Sequence, residues 1–454
     1  MSGTDPGSLA AQVLELVGGQ ADAAVMVTHT RQGLTRFANS FVHQNVVDER
    51  VEVSLQLSAA GRPASAVTYR SDTDALRGLV DRTIYSASLR PLDPQWPGLS
   101  PPAALIGAAD VHYDPSTAAA GPDDRAMAVA AFVGERKGLT AAGFCETRVD
   151  ECFFANSAGQ AVASRCTTAA FDAICRCDGS DGVASAYSSR LADIDGAALG
   201  QAAADRALRG ANPRELPPGT YEVVLEPRSV AYLMDFFSVY AFNGRAVNEN
   251  RSFLSLREAQ LDPVLSIWDD ATDPRHIGPL FDNEGTPKRF TPLVDTGVVV
   301  NVCHDRRTAV VAGGGTRTTG HAVSGGETAG AFATNLFLGA SNDGGRPFET
   351  LVAEVEHGLL VSDFWYTRVL DPKTLVVTGL TRNGVFLIER GEIGPAVTNL
   401  RFTQSYASAL APGKVLGVGS DATLANAAGA ARMGGTYVPS LHLAGWHFTG
   451  TATS

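Results

Sequence analysis

The sequence predicts an α+β fold, with an N-terminal α/β sandwich-like domain followed by a β-rich C-terminal domain. Three observations carry this expectation. The chain has 454 residues, two to three times the size of a common domain. Helical spacing alternates with strand-like runs as far as Arg209 and is scarce beyond it. Between the two styles lies Asn212-Pro213 to Pro217-Pro218-Gly219, where paired prolines favour an extended connector. The expected division is a domain over 1–211, a linker over 212–219 and a domain over 220–454.

The elements follow in order. Leu9 to Val17 has amphipathic helical spacing and stops at Gly18-Gly19. Ala24 to Tyr69 is strand-rich, with Gly33 and Gly61-Arg62-Pro63 read as turns. Helical spacing returns at Leu76, Leu79, Val80 and Ile84, capped by Ser71 or Asp72. After a proline-rich loop from Pro91 to Pro102 come a helix over Asp123 to Lys137, further strands, and an Asn156-Ser157-Ala158-Gly159 turn. A third helix fits Gly196 to Arg209. In the second half, Tyr221 to Leu225 reads as a strand entering a helix-like run from Ser229 to Phe242. Leu359 to Val369 reads as one strand, broken by Asp371-Pro372 because proline lacks a backbone donor. Leu375 to Arg382 and Val385 to Arg390 are two more, and Asn383-Gly384 between them predicts a two-residue hairpin.

Composition narrows the function. Apolar residues make up 44% and charged residues 19%, which suits a sizeable core. The net charge of −12 argues against nucleic acid or an anionic membrane as partner. No apolar run approaches the ~20 residues of a membrane-spanning helix. The first 20 residues lack a basic residue, so no secretory leader is expected and the chain reads as cytoplasmic. Six cysteines are too few for a disulfide scaffold, and Cys175-x-Cys177 has no second pair or nearby histidine to complete a zinc set. These thiols read as buried or inert.

Other constellations have bland readings. The glycine-rich stretch Gly313 to His321, with Gly325-Gly326-Glu327, lacks the Gly-Lys-Ser/Thr of a phosphate loop and reads as a loop lining a cavity. Cys303-His304-Asp305 has the residue types of a nucleophilic triad, but neighbours on a strand point to opposite faces. Glu354, Glu356 and His357 read as a solvated strand edge, with His357 facing away from the two acids. His442 and His447 have no acid nearby in sequence and read as surface or interface residues.

Several segments carry a resemblance. They are Phe364-Trp365-Tyr366-Thr367-Arg368, Thr378-Gly379-Leu380-Thr381-Arg382-Asn383-Gly384-Val385-Phe386 and Asn399-Leu400-Arg401-Phe402. Ser266-Ile267-Trp268-Asp269-Asp270, Phe281-Asp282-Asn283-Glu284-Gly285, Thr319-Gly320-His321-Ala322, Trp446 to Gly450 and, more loosely, Arg36 to Asn45 join them. Together they resemble the TldD/PmbA family of metallopeptidases and their paired subunits, and the resemblance implies a C-terminal domain of that type.

In the family's catalytic subunits the resemblance places a His-Glu-x-x-x-His motif on the helix after the first C-terminal strand. Histidines five apart span roughly 500° of an ideal helix, so converging on one metal requires a local irregularity. The glutamate serves as general base, and a later cysteine completes the ligands. In this sequence Met234, Asp235 and Val239 fill that slot, and Arg432-Met433-Gly434-Gly435 stands near the cysteine's place. The resemblance therefore implies a PmbA/TldE-like subunit with no cofactor of its own. Its expected partner is a TldD-like metalloprotease subunit that holds zinc or iron, with a homodimer when the chain is alone. The implied substrate is a small or unfolded peptide. A strand edge can hold such a chain in extended form, which makes Trp365, Tyr366, Arg368 and Arg382 the candidate substrate-binding residues, with Trp365 and Tyr366 as core or interface residues the alternative. Two other readings stay open. One is a stand-alone binder of extended peptides; the other is an independent hydrolase with a relocated metal site.

Overall fold

A computed structural model describes residues 5–342, 344–425 and 435–451. The first sheet is antiparallel and made of long strands: β1 (Asp22–Ala38), β2 (Phe41–Ala59), β3 (Arg62–Thr68), β4 (Thr140–Asn156), β5 (Ala161–Cys177) and β6 (Ser180–Ser188). Their order across the sheet is β3-β2-β1-β4-β5-β6. Successive side chains on a strand alternate faces, and here the odd-numbered apolar residues share one face. Val25, Val53 and Leu55 on that face meet α1 (Pro6–Val17) and α2 (Thr73–Ser88) through Leu9, Val13, Leu76 and Leu79. Phe37, Cys145 and Phe171 meet α3 (Pro122–Gly134) and α4 (Gly196–Gly210) through Phe132, Ala203 and Ala207. The opposite face packs Ala24, Phe154 and Val162 against Phe281 of the C-terminal half.

The helix signals resolve cleanly. Gly18 takes the left-handed conformation that ends α1. Of the two cap choices for α2, Asp72 accepts the N–H of Ala75 at 3.0 Å. Gly33 is not a turn. It lies inside β1, where an added Cβ would fall 2.4 Å from the Arg125 guanidinium, so the glycine permits close approach of a side chain.

Among the described residues the C-terminal half holds two more sheets. One is six-stranded and small, built on Leu265–Asp269, Thr291–Asp295 and Leu336–Ala340. The other has nine strands among the described residues: β7 (Gly219–Leu225), β8 (His357–Val361), β9 (Phe364–Asp371), β10 (Val376–Thr381), β11 (Val385–Glu389), β12 (Glu392–Ala396), β13 (Leu400–Ser405), β14 (Val415–Val418) and β15 (Leu441–Thr451). The order is β9-β10-β13-β15-β7-β8-β11-β12, with β14 also on β15. Because β8 runs on into β9, the pairings β7-β8, β9-β10, β10-β13, β13-β15 and β15-β7 form a closed circuit. Phe364, Phe402 and Trp446 pack together inside it.

This circuit corrects two expectations. Leu359 to Val369 is two strands, split at Ser362-Asp363. Asn383-Gly384 is not a hairpin, since β10 and β11 belong to distant parts of the sheet. Positive φ does occur there, 57° at Asn383 and 147° at Gly384. It serves a crossing of the two-strand ribbon: a Cβ on Gly384 would lie 2.7 Å from Ser362 Oγ. The ribbon's hairpin turn is instead at Asp371–Val376, where Leu375 has φ 50° and Asp371 accepts the N–H of Lys373. The whole is an α+β fold. No described helix is long and apolar enough to cross a membrane.

Candidate functional site

The strand β7 leads into helix α5 (Pro227–Phe236), which has proline in its first turn. The helix does not run regularly to Phe242. Phe237–Ala241 is a π-turn, with the Phe242 N–H donating five residues back to the Phe237 carbonyl at 2.8 Å. An irregular helix is the geometry the slot requires, and the chain has it. Of the side chains in the slot, Met234 is fully buried, while Asp235 and Val239 are partly exposed. A thioether and an isopropyl group do not fit a metal ion that takes imidazoles. Asp235 has no hydrogen bond or ion pair among the described residues, and burial pushes its carboxyl up to about 7. Arg432 and Met433 lie outside the described residues, whereas Gly435 lies within them.

The four expected substrate-binding residues come together on the β9–β10 ribbon. Arg382 lies 4.3 Å from the Trp365 ring centroid and Arg368 lies 4.6 Å from that of Tyr366. Trp365 is 41% exposed and Tyr366 64%, so neither is core. A bulge between Trp365 and Arg368, with φ 52° at Tyr366, turns these rings outward. β9 pairs only with β10, and its other edge is free among the described residues. Behind Arg382, an open cavity of about 430 Å³ lies between the two halves, lined also by Arg176, Arg206, Asn383 and Thr398.

A clamp invisible in the sequence holds the halves beside this cavity. Arg228 Nη1 lies 2.9 Å from Asp172 Oδ2 on β5, and its Nε lies 3.1 Å from Asp363 Oδ1 at the ribbon crossing. Burial pushes Asp363 up to about 6, against the pull of Arg228. The two charges raise Arg228 despite its own burial.

Other singled-out groups are structural. Asp269 and His321 form a fully buried ion pair at 3.1 Å, and His321 Nδ1 meets Thr319 Oγ1 at 2.8 Å. Burial would lower the imidazole, but Cys303 and Asp269 beside it lift it to about 10. Burial would raise Asp269, yet His321, Lys288 and the Asn335 N–H hold it well below the usual carboxylate range. Cys303 thus sits beside His321, not His304, and burial pushes its thiol up. His304 faces Thr308, at 3.2 Å.

Glu354 corrects the strand-edge reading. It caps a short helix (Phe348–Ala353), and only His357 starts a strand. His442 is a second correction: it is buried, with Glu222 Oε1 at 2.6 Å from its Nε2. Strand pairing of β15 with β7 brings that acid across, which no local pattern reveals. The glycine-rich stretch lies outside the cavity, with Gly313 to Gly315 exposed and Gly326–Ala329 a single helical turn. Among the described residues, no three His, Cys, Asp or Glu are placed to hold a metal.

Comparison with known proteins follows the same lines. The family model for the PmbA/TldA metallopeptidase C-terminal domain matches residues 218–450. Metalloprotease slr0863 of Synechocystis is 33% identical over 113 residues, 24% of this chain and 24% of that protein. The structure of TldE from Thermococcus kodakarensis superposes with a TM-score of 0.84 at 17% identity, covering 98% of this chain and 99% of its own. TM0727 from Thermotoga maritima gives 0.82 at 17%, covering 98% and 100%. BT3649 from Bacteroides thetaiotaomicron gives 0.82 at 21%, covering 99% and 100%.

Proposed function

Because this chain belongs to the PmbA/TldD metallopeptidase family, we propose that it is the TldE/PmbA-like, metal-ligand-free subunit of a two-component metalloprotease. The observation that carries this reading is the slot at 234–239. A buried methionine, an aspartate without a partner among the described residues, and a valine stand where the resemblance requires two imidazoles and a base. A TldD-like partner then supplies zinc or iron with its ligands, and the metal activates water against the peptide bond.

This chain walls part of the chamber that admits small or unfolded peptides. The free edge of β9 offers backbone donors and acceptors to an extended chain of any sequence, while the Trp365–Arg382 and Tyr366–Arg368 pairs add selectivity. Assembly is supported by Phe41, Val42, Val46 and Val47, all exposed on the part of β2 that pairs only with β1. A partner covers this apolar strip in the complex, or a second copy when the chain is alone. Six free cysteines fit a cytoplasmic setting.

The test is expression alone and together with a family member carrying His-Glu-x-x-x-His. Alone, the chain should carry no stoichiometric zinc or iron and show no chelator-sensitive peptidase activity; the co-purified complex should have both. One metal per isolated chain, lost on changing His304, His321 or His357, overturns the reading.

A further inference from the structure

Arg125, on α3, is 1% exposed and has no carboxylate partner among the described residues. Its guanidinium lies over Gly33, in a cradle of neutral acceptors. Nε donates to Thr35 Oγ1 at 3.1 Å, Nη1 to Thr147 Oγ1 at 2.9 Å and to the Ala120 carbonyl at 3.4 Å, and Nη2 to Asn45 Oδ1 at 3.2 Å. A guanidinium has five N–H donors, so one on Nη2 remains unused. Arg31, two residues before Gly33 on the same face of β1, donates to the Ala118 carbonyl at 3.2 Å and also has no ion pair among the described residues.

The nearby carboxylates are engaged elsewhere. Glu49 bonds His29 at 2.8 Å, and Asp124 accepts the Gly121 N–H at 2.7 Å. A cavity of about 30 Å³ opens beside these groups, lined by Arg31, Arg125, Thr117, Gly121 and Thr147. That volume exceeds what one water requires and admits little more than a single small ion. A buried charge without a counter-charge is costly, and two like charges facing one cavity increase the cost. Burial, with Arg31 adding to it, lowers Arg125 from its ordinary range.

We infer that this cavity binds a small monovalent anion of chloride size between Arg31 and Arg125, tying the end of the short helix Pro115–Ala119 and the start of α3 to the sheet. The ion is the counter-charge that the described side chains do not supply. Arg31 closes the exposed side, and Arg125 provides the dry side.

Thermal unfolding of the full chain in sodium chloride, sodium bromide and sodium gluconate at constant ionic strength tests this. Chloride and bromide should raise Tm saturably by roughly 2–4 °C, while gluconate, too bulky for the cavity, should not. Arg31→Gln, a change at an exposed position, should remove the saturable part and leave the protein folded. Crystals soaked in bromide should show an anomalous peak between the two guanidinium groups. Equal responses to chloride and gluconate, an undiminished chloride response in R31Q, or no bromide at this position overturns the inference.

Discussion

Three aspartates in the C-terminal half, Asp269 and Asp363 buried and Asp235 half-buried, differ in how many positive partners they have. Asp269 has His321, Lys288 and backbone N–H groups of Thr334 and Asn335, and it stays ionised in a site with no exposure. Asp363 shares Arg228 with Asp172 and is pushed up to about 6. Asp235 has none among the described residues and is pushed up to about 7. Burial acts on all three in the same direction, so the donors decide the outcome. Where donors are complete, the carboxylate is part of the architecture. Where they are missing among the described residues, the carboxyl is held in its neutral form.

The sharpest way to break this comparison is at Asp269. Asp269→Ala takes from buried His321 the carboxylate it faces and leaves the Thr334 and Asn335 N–H groups without their acceptor. Denaturant unfolding should show a loss of about 3–5 kcal/mol; a loss below 1 would place Asp269 with Asp235. Arg228→Met should cost about 2–3 kcal/mol, because it removes the one cation that Asp172 and Asp363 share. The same change should raise the Asp363 pKa further, readable by NMR titration of its carboxyl carbon.

Asp235 should respond with the opposite sign. Its folded pKa lies above the unfolded value of 3.8, so the folded state holds the proton more tightly. Its contribution is complete below pH 3.8 and is lost as pH rises toward 7 and beyond. Asp235→Asn, which stays neutral, should therefore be more stable than the parent by about 1–3 kcal/mol at pH 8 and nearly equal at pH 4. A pH-independent difference would show that Asp235 has a partner after all. The smallest stability effects are expected at the ribbon: Arg368→Ala and Arg382→Ala should each change unfolding free energy by under about 1 kcal/mol. In the complex they should raise KM for anionic or long peptides with kcat little changed. Loss of assembly, or no kinetic effect, would leave the ribbon as scaffold.

The local signals were legible where local physics decides. Helix α2 and its Asp72 cap follow from spacing and a side-chain oxygen. The positive φ of Asn383 and Gly384 was legible too, but not what it was for. A hairpin and a ribbon crossing ask the same backbone of two residues, and only the distant pairing of β8 with β7 tells them apart. Gly33 misled for a similar reason, since the side chain that needs its missing Cβ comes from Arg125 on a helix far along the chain. The aromatic and arginine types at 365–382 were legible as a group, whereas their stacking depends on a bulge and a strand register. The Arg228 clamp and the Asp269–His321 pair join residues far apart in sequence, so no window of sequence contains them.

The closed strand circuit has a consequence for how the chain is made. Strand β15 lies between β13 and β7 in the finished sheet, yet it is synthesised after both, and after every other strand of the circuit. At about 5–20 residues per second, β7 waits for its antiparallel neighbour on the order of tens of seconds. During that time its Val224 and Leu225 backbone edge is open to any passing strand. The central seam of this half therefore stays unsealed until β15 has been made, and β7 is the strand that waits longest for its neighbour.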